Sequence, residues 1–194
     1  MSVAAIVLAA GASRRLGNPK QLLKVGDETL LERAIRLANE AGASPVLVVL
    51  GAYREAICTA VHFGDAIEVV NEHWEEGIAT SVQAGLLALD AAGRGAEGVL
   101  LMSCDQPRIT ATHLRSLTET FAAQAAPAIV ASAYAGIRGV PAIVPRVAWP
   151  GLRELRGDQG ARALLRHPPC TVVSVPLIGG EVDIDLPEDI AKLG

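Results

Sequence analysis

The chain has 194 residues, which predicts a single domain over residues 1–194 with a sizeable core. Hydrophobic residues make up 51% of the sequence and aromatic residues only 3%, a composition that favours layers of strands and helices around an aliphatic core. The formal net charge of −4 argues against a general surface for nucleic acid or anionic membranes. Any nucleotide ligand is therefore expected to be small.

The cysteines and the first residues bear on the cellular compartment. Cys58, Cys104 and Cys170 are odd in number and show no CxxC spacing, so they indicate neither a disulfide framework nor a zinc site. Met1 and Ser2 precede the first apolar run without a basic segment, and the chain contains no stretch of about 18 apolar residues. We therefore expect a cytoplasmic protein with no targeting signal and no membrane span.

Apolar runs alternate with helical patterns along the chain. The first run, Val3–Ala9, predicts a strand that is buried on both faces of a sheet. Thr29 and Glu32 have the spacing of a capping box, which predicts a helix that ends near Gly42. Further strands are predicted over residues 45–50, 66–70, 98–103, 128–133, 140–144 and 171–175. Further helices are predicted over residues 54–62, from Thr80 or Ser81, after Thr110, after Gly160 and from Pro187.

This alternation predicts an α/β fold, and a few single residues refine it. Pro141 indicates that its strand lies at a sheet edge or starts irregularly, because proline cannot donate to the ladder. Trp149 fits the core and the rim of the fold equally well. His113 is assigned to a helix surface or a helix end, and Trp74 to the lining of a pocket.

A basic loop follows the first strand, at the sheet edge where open α/β folds bind ligands. Its first residues are small and let backbone N–H groups approach an anion; they are Ala9, Ala10, Gly11 and Ala12. Its cations are Arg14, Arg15, Lys20 and Lys24. Arg15 offers a planar fork for phosphate oxygens, and Lys20, stiffened by Pro19, offers a point charge. The loop therefore predicts a polyphosphate site.

Two familiar phosphate loops do not fit this segment. A P-loop needs four residues between its glycines and then Lys-Ser or Lys-Thr, but five residues separate Gly11 from Gly17, and Asn18-Pro19 follows. A dinucleotide fingerprint needs GxGxxG, whereas one glycine follows the first strand before Gly17. The sequence thus supports neither a P-loop ATPase nor a dehydrogenase.

Carboxylates provide the second half of the predicted site. Asp105 directly follows a buried strand, where a divalent cation on a polyphosphate would pair it; the alternative is an aspartate that caps a turn before Pro107. Asp183 and Asp185 lie two residues apart and share a face in an extended segment, so one of them can complete a metal site. An acidic turn without a metal is equally compatible. Cys104 is predicted to be a small buried residue.

The loop also resembles a known family. Residues 8–23 read LAAGASRRLGNPKQLL and are similar to the LAAGxSxRxGxxKxLL signature of the MobA-like nucleotidyltransferases. These enzymes join the nucleoside monophosphate of an NTP to a phosphorylated acceptor and release pyrophosphate. Similar segments continue in order through residues 77–86, 104–107, 136–141, 157–162 and 183–189. The resemblance implies a three-layer, Rossmann-like fold with a mostly parallel central sheet.

Within this superfamily the chain looks most like the molybdenum-cofactor cytidylyltransferases, which use CTP and molybdopterin. Ala10, where the LAGG loop usual in the guanylyltransferases has its first glycine, and the Asp-Gln-Pro motif at Asp105 favour that branch. The methylerythritol-phosphate cytidylyltransferases share the loop but usually carry an arginine where this chain has Ala79.

The resemblance implies a role for each candidate residue. The catalytic residues would be Arg15, Lys20 and Asp105. The nucleotide contacts would be Leu8, Ala9, Ala10, Gly11, Arg15, Lys20, Ala79, Ser81 and Asp105. The Mg²⁺ ligands would be Asp105 and Asp185, with Asp183 as the fallback. The resemblance also implies a molybdoenzyme or a cofactor-insertion protein as a candidate partner.

Other functions stay open at this point. A related transferase that uses GTP or another NTP, or a sugar- or polyol-phosphate acceptor such as methylerythritol phosphate, would keep every motif. A non-enzymatic nucleotide-binding accessory protein and a plain α/β interaction module belong to different classes. The acidic positions favour the enzyme, since neither of the other two classes requires them.

Overall fold

A computed structural model describes residues 1–93 and 95–193. The strands are β1 (Val3–Leu8), β2 (Lys24–Val25), β3 (Glu28–Thr29), β4 (Val46–Leu50), β5 (Ile67–Val70), β6 (Gly98–Ser103), β7 (Ala128–Tyr134), β8 (Ile137–Pro145) and β9 (Thr171–Pro176). The α-helices are α1 (Leu30–Glu40), α2 (Arg54–Ala60), α3 (Ile78–Ala91), α4 (Ala111–Ala122), α5 (Trp149–Arg153) and α6 (Ala161–Arg166). Short 3₁₀ turns cover Lys20–Leu22, Trp74–Glu76, Arg146–Ala148 and Pro187–Leu193.

One seven-stranded sheet organises the chain, in the order β5-β4-β1-β6-β8-β7-β9. Every pairing in it is parallel except the two made by β8, which runs against both β6 and β7. The hydrophobic strands predicted by the sequence are all present in this sheet. The predicted α/β class with a mostly parallel sheet is therefore confirmed.

Helices cover both faces of the sheet, as the continuous apolar runs of its strands require. Successive residues of β1 alternate between the two cores: Ala5 and Val7 face one, and Ala4 and Ile6 face the other. The first core includes apolar residues of α1, α2 and α4, and the second includes those of α3, α5 and α6. The result is the expected three-layer arrangement. Among the described residues, no helix is both long enough and apolar enough to cross a membrane.

Two helices, α1 and α4, begin after a residue whose side chain caps the first turn. Thr29 accepts a hydrogen bond from the Glu32 N–H while the Glu32 carboxylate accepts one from the Thr29 N–H, which confirms the capping box of α1. Thr110 caps α4 in the same way through the His113 N–H. α3 begins earlier than predicted, at Ile78 rather than at Thr80 or Ser81, because Gly77 is the residue that leaves helical geometry, with φ of +108°.

Of the two alternatives that Pro141 indicated for β8, the sheet edge is wrong, and the irregularity is present inside the strand rather than at its start. β8 lies between β6 and β7, and its pairing with β7 steps from Ala131 opposite Ala142 to Ser132 opposite Gly139. Pro141 falls inside this bulge, where the ladder needs no N–H from it. A proline can therefore occupy an interior strand here.

The structure defines the surroundings of one histidine and one tryptophan. His113 lies near the start of α4 but is buried rather than on the helix surface, and its Nε2 lies 2.8 Å from the Ser132 hydroxyl, which in turn donates to the Pro141 carbonyl. Burial lowers the pKa of His113, so the imidazole is neutral near pH 7. Trp149 is buried in the core and donates its indole N–H to the Val144 carbonyl. It opens α5, a helix that the Trp-Pro-Gly sequence did not predict.

We predict that Gly77→Ala destabilises the fold by roughly 3 kcal/mol or more, because its backbone conformation is open almost only to glycine. An added Cβ would also lie 2.8 Å from the Asp158 amide nitrogen and closer still to the Gly157 carbonyl. Gly64→Ala is the matched control, since Gly64 also has a positive φ of +57° but open space around the new Cβ. Urea unfolding of both variants measures the difference. Equal losses would contradict a steric contribution at Gly77.

Candidate active site

The predicted site residues meet at the carboxyl edge of the sheet because β1 and β6 are adjacent and parallel. Leu8 pairs with Ser103 at the ends of these strands, so the loop after each strand leaves the sheet at the same point. The C-terminal segment joins them through a hydrogen bond from the Ile184 N–H to the Asp105 carbonyl, 3.0 Å long. Ile184 is fully buried. This anchor brings the predicted aspartates together from distant parts of the sequence.

Buried hydrogen bonds shape the basic loop. The Gln21 side-chain amide donates to the carbonyls of Ala9 (2.7 Å) and Gly11 (3.0 Å). The carbonyl between them, that of Ala10, accepts from the Ala52 N–H at 3.0 Å. Within the described part of the chain, the N–H groups of residues 10–12 have no such partner. With the carbonyls held away, these N–H groups are available to an anion.

The loop forms one wall of a cavity of about 390 Å³, which we call the loop cavity. The predicted residues that line it are Leu8, Ala10, Gly11, Lys20, Ser81 and Asp105. Ala9 and Ala79 are buried behind the lining, and the Ala79 N–H donates to the Gly157 carbonyl. Arg15 also lies outside the lining, with a largely exposed side chain. The role of these residues toward a nucleotide stays a prediction.

Lys20 is the centre of charge in the site. Its ammonium nitrogen lies 2.5 Å from an Asp105 oxygen and 2.9 Å from an Asp185 oxygen. The other Asp185 oxygen is 2.8 Å from the Arg15 guanidinium. The second Asp105 oxygen accepts a short hydrogen bond from the Ser103 hydroxyl. Both carboxylates thus converge on one cation.

This network shifts the ionisation of its members. Burial alone would lower the pKa of Lys20, but the charges and hydrogen bonds of Asp105 and Asp185 outweigh it and raise that pKa above its usual value. Burial likewise opposes ionisation of Asp185, yet Lys20 and Arg15 hold its pKa below the usual range. At neutral pH the ammonium and the Asp185 carboxylate are therefore both charged.

Asp183 occupies a different environment from Asp185, although the two flank the same buried residue. The segment that carries them belongs to no strand. Burial, and then the neighbouring Asp185 and Asp105, raise the pKa of Asp183. Its side chain lines a second cavity of about 550 Å³ beside the β7–β8 hairpin, which we call the hairpin cavity. The geometry thus favours Asp185 over Asp183 as the partner of Asp105.

The two cavities are neighbours that share part of their walls. The residues common to both are Leu8, Ile78, Ser103, Asp105 and Asp158. Tyr134, Ile137 and Val140 add an apolar wall to the hairpin cavity, and Arg162 adds a cation. Asp105 therefore lies where a group in one cavity can meet a group in the other.

The N-terminus of α3 faces the loop cavity and is braced by Asn71 at the end of β5. The Asn71 amide donates to the hydroxyls of Thr80 and Ser81, both at 2.9 Å, and its carbonyl oxygen accepts from the His73 N–H. Ser81 is nearly fully buried. The bracing holds the loop at residues 71–77 against the start of the helix, whose positive dipole end favours anions.

Several residues of this site had no role assigned by the sequence analysis. Gln21 donates to carbonyls of the basic loop, and Ser103 donates to Asp105. Asp158 and Arg162 lie in segments that match the family, but no role was predicted for either residue. Trp74 lines the loop cavity, as predicted, and packs so closely on Gly51 that a Cβ there would be 2.6 Å from it. For Gln21, Asp158 and Arg162 the signal is their position within a matched segment, which does not say what the side chain contacts.

The residues present fit a hard divalent cation. Asp105 and Asp185 already direct oxygens at one cationic group, the Lys20 ammonium, and Mg²⁺ or Mn²⁺ prefers oxygen ligands. Among the described residues, no group of three or more His, Cys, Asp or Glu side chains could hold a metal ion by itself. Asp105 and Asp185 would therefore supply only part of a coordination shell.

The sheet, its basic glycine loop and the facing carboxylates are together typical of α/β proteins that handle nucleoside polyphosphates. The chain belongs to the MobA-like NTP transferase domain family, whose profile matches residues 5–172, and is a nucleotidyltransferase of that family. The family expected from residues 8–23 is thus confirmed.

Named relatives cover most of the chain. It is 33% identical over 181 residues to a probable molybdenum cofactor guanylyltransferase of Opitutus terrae, spanning 90% of this chain and 85% of that one. It is 32% identical over 179 residues to the nicotine blue oxidoreductase of Paenarthrobacter nicotinovorans, spanning 88% and 84%. The family therefore includes relatives with different named activities.

Solved structures share the whole fold. A Mycobacterium tuberculosis Rv0371c homologue from Mycobacterium sp. strain JC1 is 32% identical with a TM-score of 0.83, and the match covers 98% of this chain and 96% of that one. Rv0371c itself, in a complex with manganese, is 27% identical with a TM-score of 0.79, covering 100% and 98%. A divalent metal is thus compatible with this fold.

We predict that Gln21→Met weakens NTP binding by about tenfold, ~1.4 kcal/mol, because the Ala9 and Gly11 carbonyls lose their donor and the loop loses its shape. Isothermal titration with NTP in the absence of acceptor measures this effect. Gln124→Met is the control, since that amide donates to the Thr120 carbonyl within α4 and its end. Unchanged affinity in Gln21→Met would remove this residue from loop positioning.

Proposed function

We propose that the chain transfers CMP from CTP to the phosphate of molybdopterin, with Mg²⁺ bound at Asp105 and Asp185 and with release of pyrophosphate. The convergence of Lys20, Asp105 and Asp185 beneath the loop of unpaired N–H groups is the observation that carries this proposal. It places backbone anion donors, the Lys20 ammonium and the Asp105 carboxylate in the wall of one cavity, with Asp185 in contact with the same ammonium.

The chain's own residues supply positioning and charge. An acceptor phosphate oxygen attacks the α-phosphorus in line as the bond to pyrophosphate breaks, and no general base is needed because that phosphate is already ionised. The N–H groups of residues 10–12 bind phosphate oxygens, and Lys20 and Arg15 neutralise the charge that develops there. When bound at Asp105 and Asp185, the metal ion would withdraw charge from the phosphate oxygens.

The hairpin cavity is the candidate acceptor site. It adjoins the loop cavity at Asp105, so an acceptor there would present its phosphate to the reacting centre. Tyr134, Ile137 and Val140 suit a flat ring system, while Asp158 and Asp183 can accept its N–H groups. This combination supports a pterin over a small sugar or polyol phosphate. A molybdoenzyme or cofactor-insertion protein would then receive the product.

Pyrophosphate release tests the reaction. Purified protein is assayed with CTP, GTP, ATP and UTP, each with and without molybdopterin. We expect release with CTP and molybdopterin together, and a loss of at least about 100-fold, ~2.7 kcal/mol, in Asp105→Ala. Asp65→Ala, an exposed aspartate at the amino end of the sheet, is the matched control and should retain full activity.

Other outcomes identify the alternatives. Nucleotide binding without pyrophosphate release under any combination would reject the transferase in favour of an accessory protein.

Base choice is a separate prediction, because the Opitutus relative is named as a guanylyltransferase. The Ala10 methyl belongs to a nearly buried residue that lines the loop cavity, and it narrows the space where the guanylyltransferase signature has glycine. We expect Ala10→Gly to raise the GTP-to-CTP preference by at least about tenfold. Ala9→Gly, behind the lining, should not. Wild-type preference for GTP in pyrophosphate assays would establish the guanylyltransferase instead.

A further inference from the structure

Lys20 occupies the space between the two carboxylates that the proposed function gives to a metal ion. Its ammonium contacts Asp105 at 2.5 Å and Asp185 at 2.9 Å, and the Lys20 side chain is only 17% exposed. A buried ammonium held by two carboxylates neutralises them as a metal ion would. The carboxylate oxygens that bind the Lys20 ammonium cannot at the same time fully coordinate a metal ion.

The proposed function also asks Lys20 to contact phosphate oxygens. Both roles cannot be filled in the observed arrangement, because the ammonium is already engaged by Asp105 and Asp185. Lys20 is well suited to exchange partners, since its flexible stem carries a compact charge that can turn to another anion. Its neighbours allow the move, because both Lys20 and Asp105 line the open loop cavity.

The limited number of carboxylates makes the exchange depend on the nucleotide. The described residues hold no cluster of three metal-ligating side chains, and Mg²⁺ sites of this kind are completed by substrate phosphates and water. A metal ion alone would have to displace Lys20 while gaining only two protein ligands. A triphosphate would offer Lys20 new anions and offer the metal ion further oxygens.

We propose that Lys20 keeps the metal site closed until a nucleotide binds, and that the nucleotide phosphates draw the ammonium away from Asp105 and Asp185. The proposal rests on the proposed function for the identity of the ligands. It assigns a binding order to the site: metal affinity is low in the free protein and appears with the nucleotide. In the nucleotide-free protein, the Lys20 ammonium thus occupies the position of the metal ion.

Mn²⁺ binding to the nucleotide-free, full-length chain tests this order. The signal of free Mn²⁺ in electron paramagnetic resonance gives the Kd for wild type, Lys20→Met and Lys24→Met. We expect Lys20→Met to bind Mn²⁺ at least about tenfold more tightly than wild type, because the competing charge is gone. Lys24→Met removes the same charge from the exposed strand β2 and should match wild type.

A double variant locates the effect. Adding Asp105→Asn to Lys20→Met should abolish the gain in Mn²⁺ affinity if that gain arises at the two carboxylates. Circular dichroism verifies the fold, and Lys20→Gln, which keeps a polar end between the carboxylates, provides the same comparison if the methionine variant unfolds. A folded Lys20 variant that binds Mn²⁺ no more tightly than wild type would overturn the proposal.

This readout is independent of turnover. If Lys20→Met gains Mn²⁺ affinity while wild type releases no pyrophosphate with any NTP, the exchange stands and the proposed reaction falls. If wild type releases pyrophosphate but Lys20→Met gains no affinity, the reaction stands and the binding order is rejected.

Discussion

The parallel pairing of β1 with β6 is the constraint on which the site depends. With Leu8 opposite Ser103, the glycine loop and the Asp105 turn leave the sheet side by side. The contacts made by these two loops depend on this register. They include the ion pair of Lys20 with Asp105 and the Ile184 hydrogen bond to the Asp105 carbonyl. A change of pairing would separate the basic loop from its carboxylates, although each segment could still form locally.

Apolar packing, in addition to the ion pairs, holds the loop and the C-terminal segment in place. Leu16 of the basic loop, Leu30 at the start of α1 and Ile184 of the C-terminal segment form a small buried cluster of their own. This cluster fixes the positions of the loop and of the segment that carries Asp185. Charged side chains can then exchange partners above it without loss of the backbone arrangement, since the positioning does not depend on the ion pairs alone.

The strands and helices were predicted well from the sequence because hydrophobic periodicity and caps are local signals. Prediction failed where a tertiary contact decided the outcome. His113 was predicted at a helix surface or a helix end, but it is buried with Ser132 as its partner. Pro141 was predicted to mark a sheet edge or an irregular start, but a bulge accommodates it in an interior strand. The loop cations were recognisable as such, but their pairing with carboxylates 85 and 165 residues away was not. Gln21 could not be assigned either, because its partners are backbone carbonyls that any sequence would supply.

The positions of the two tryptophans have a spectroscopic consequence. Trp149, the first residue of α5, is enclosed in the core, while Trp74 packs on Gly51 and lines the loop cavity. The chain has only these two indoles and two tyrosines, so its indole emission comes from one side chain in the core and one in a cavity wall. A ligand in the loop cavity would change the surroundings of Trp74 and leave those of Trp149 as they are, so its binding would be measurable without a label.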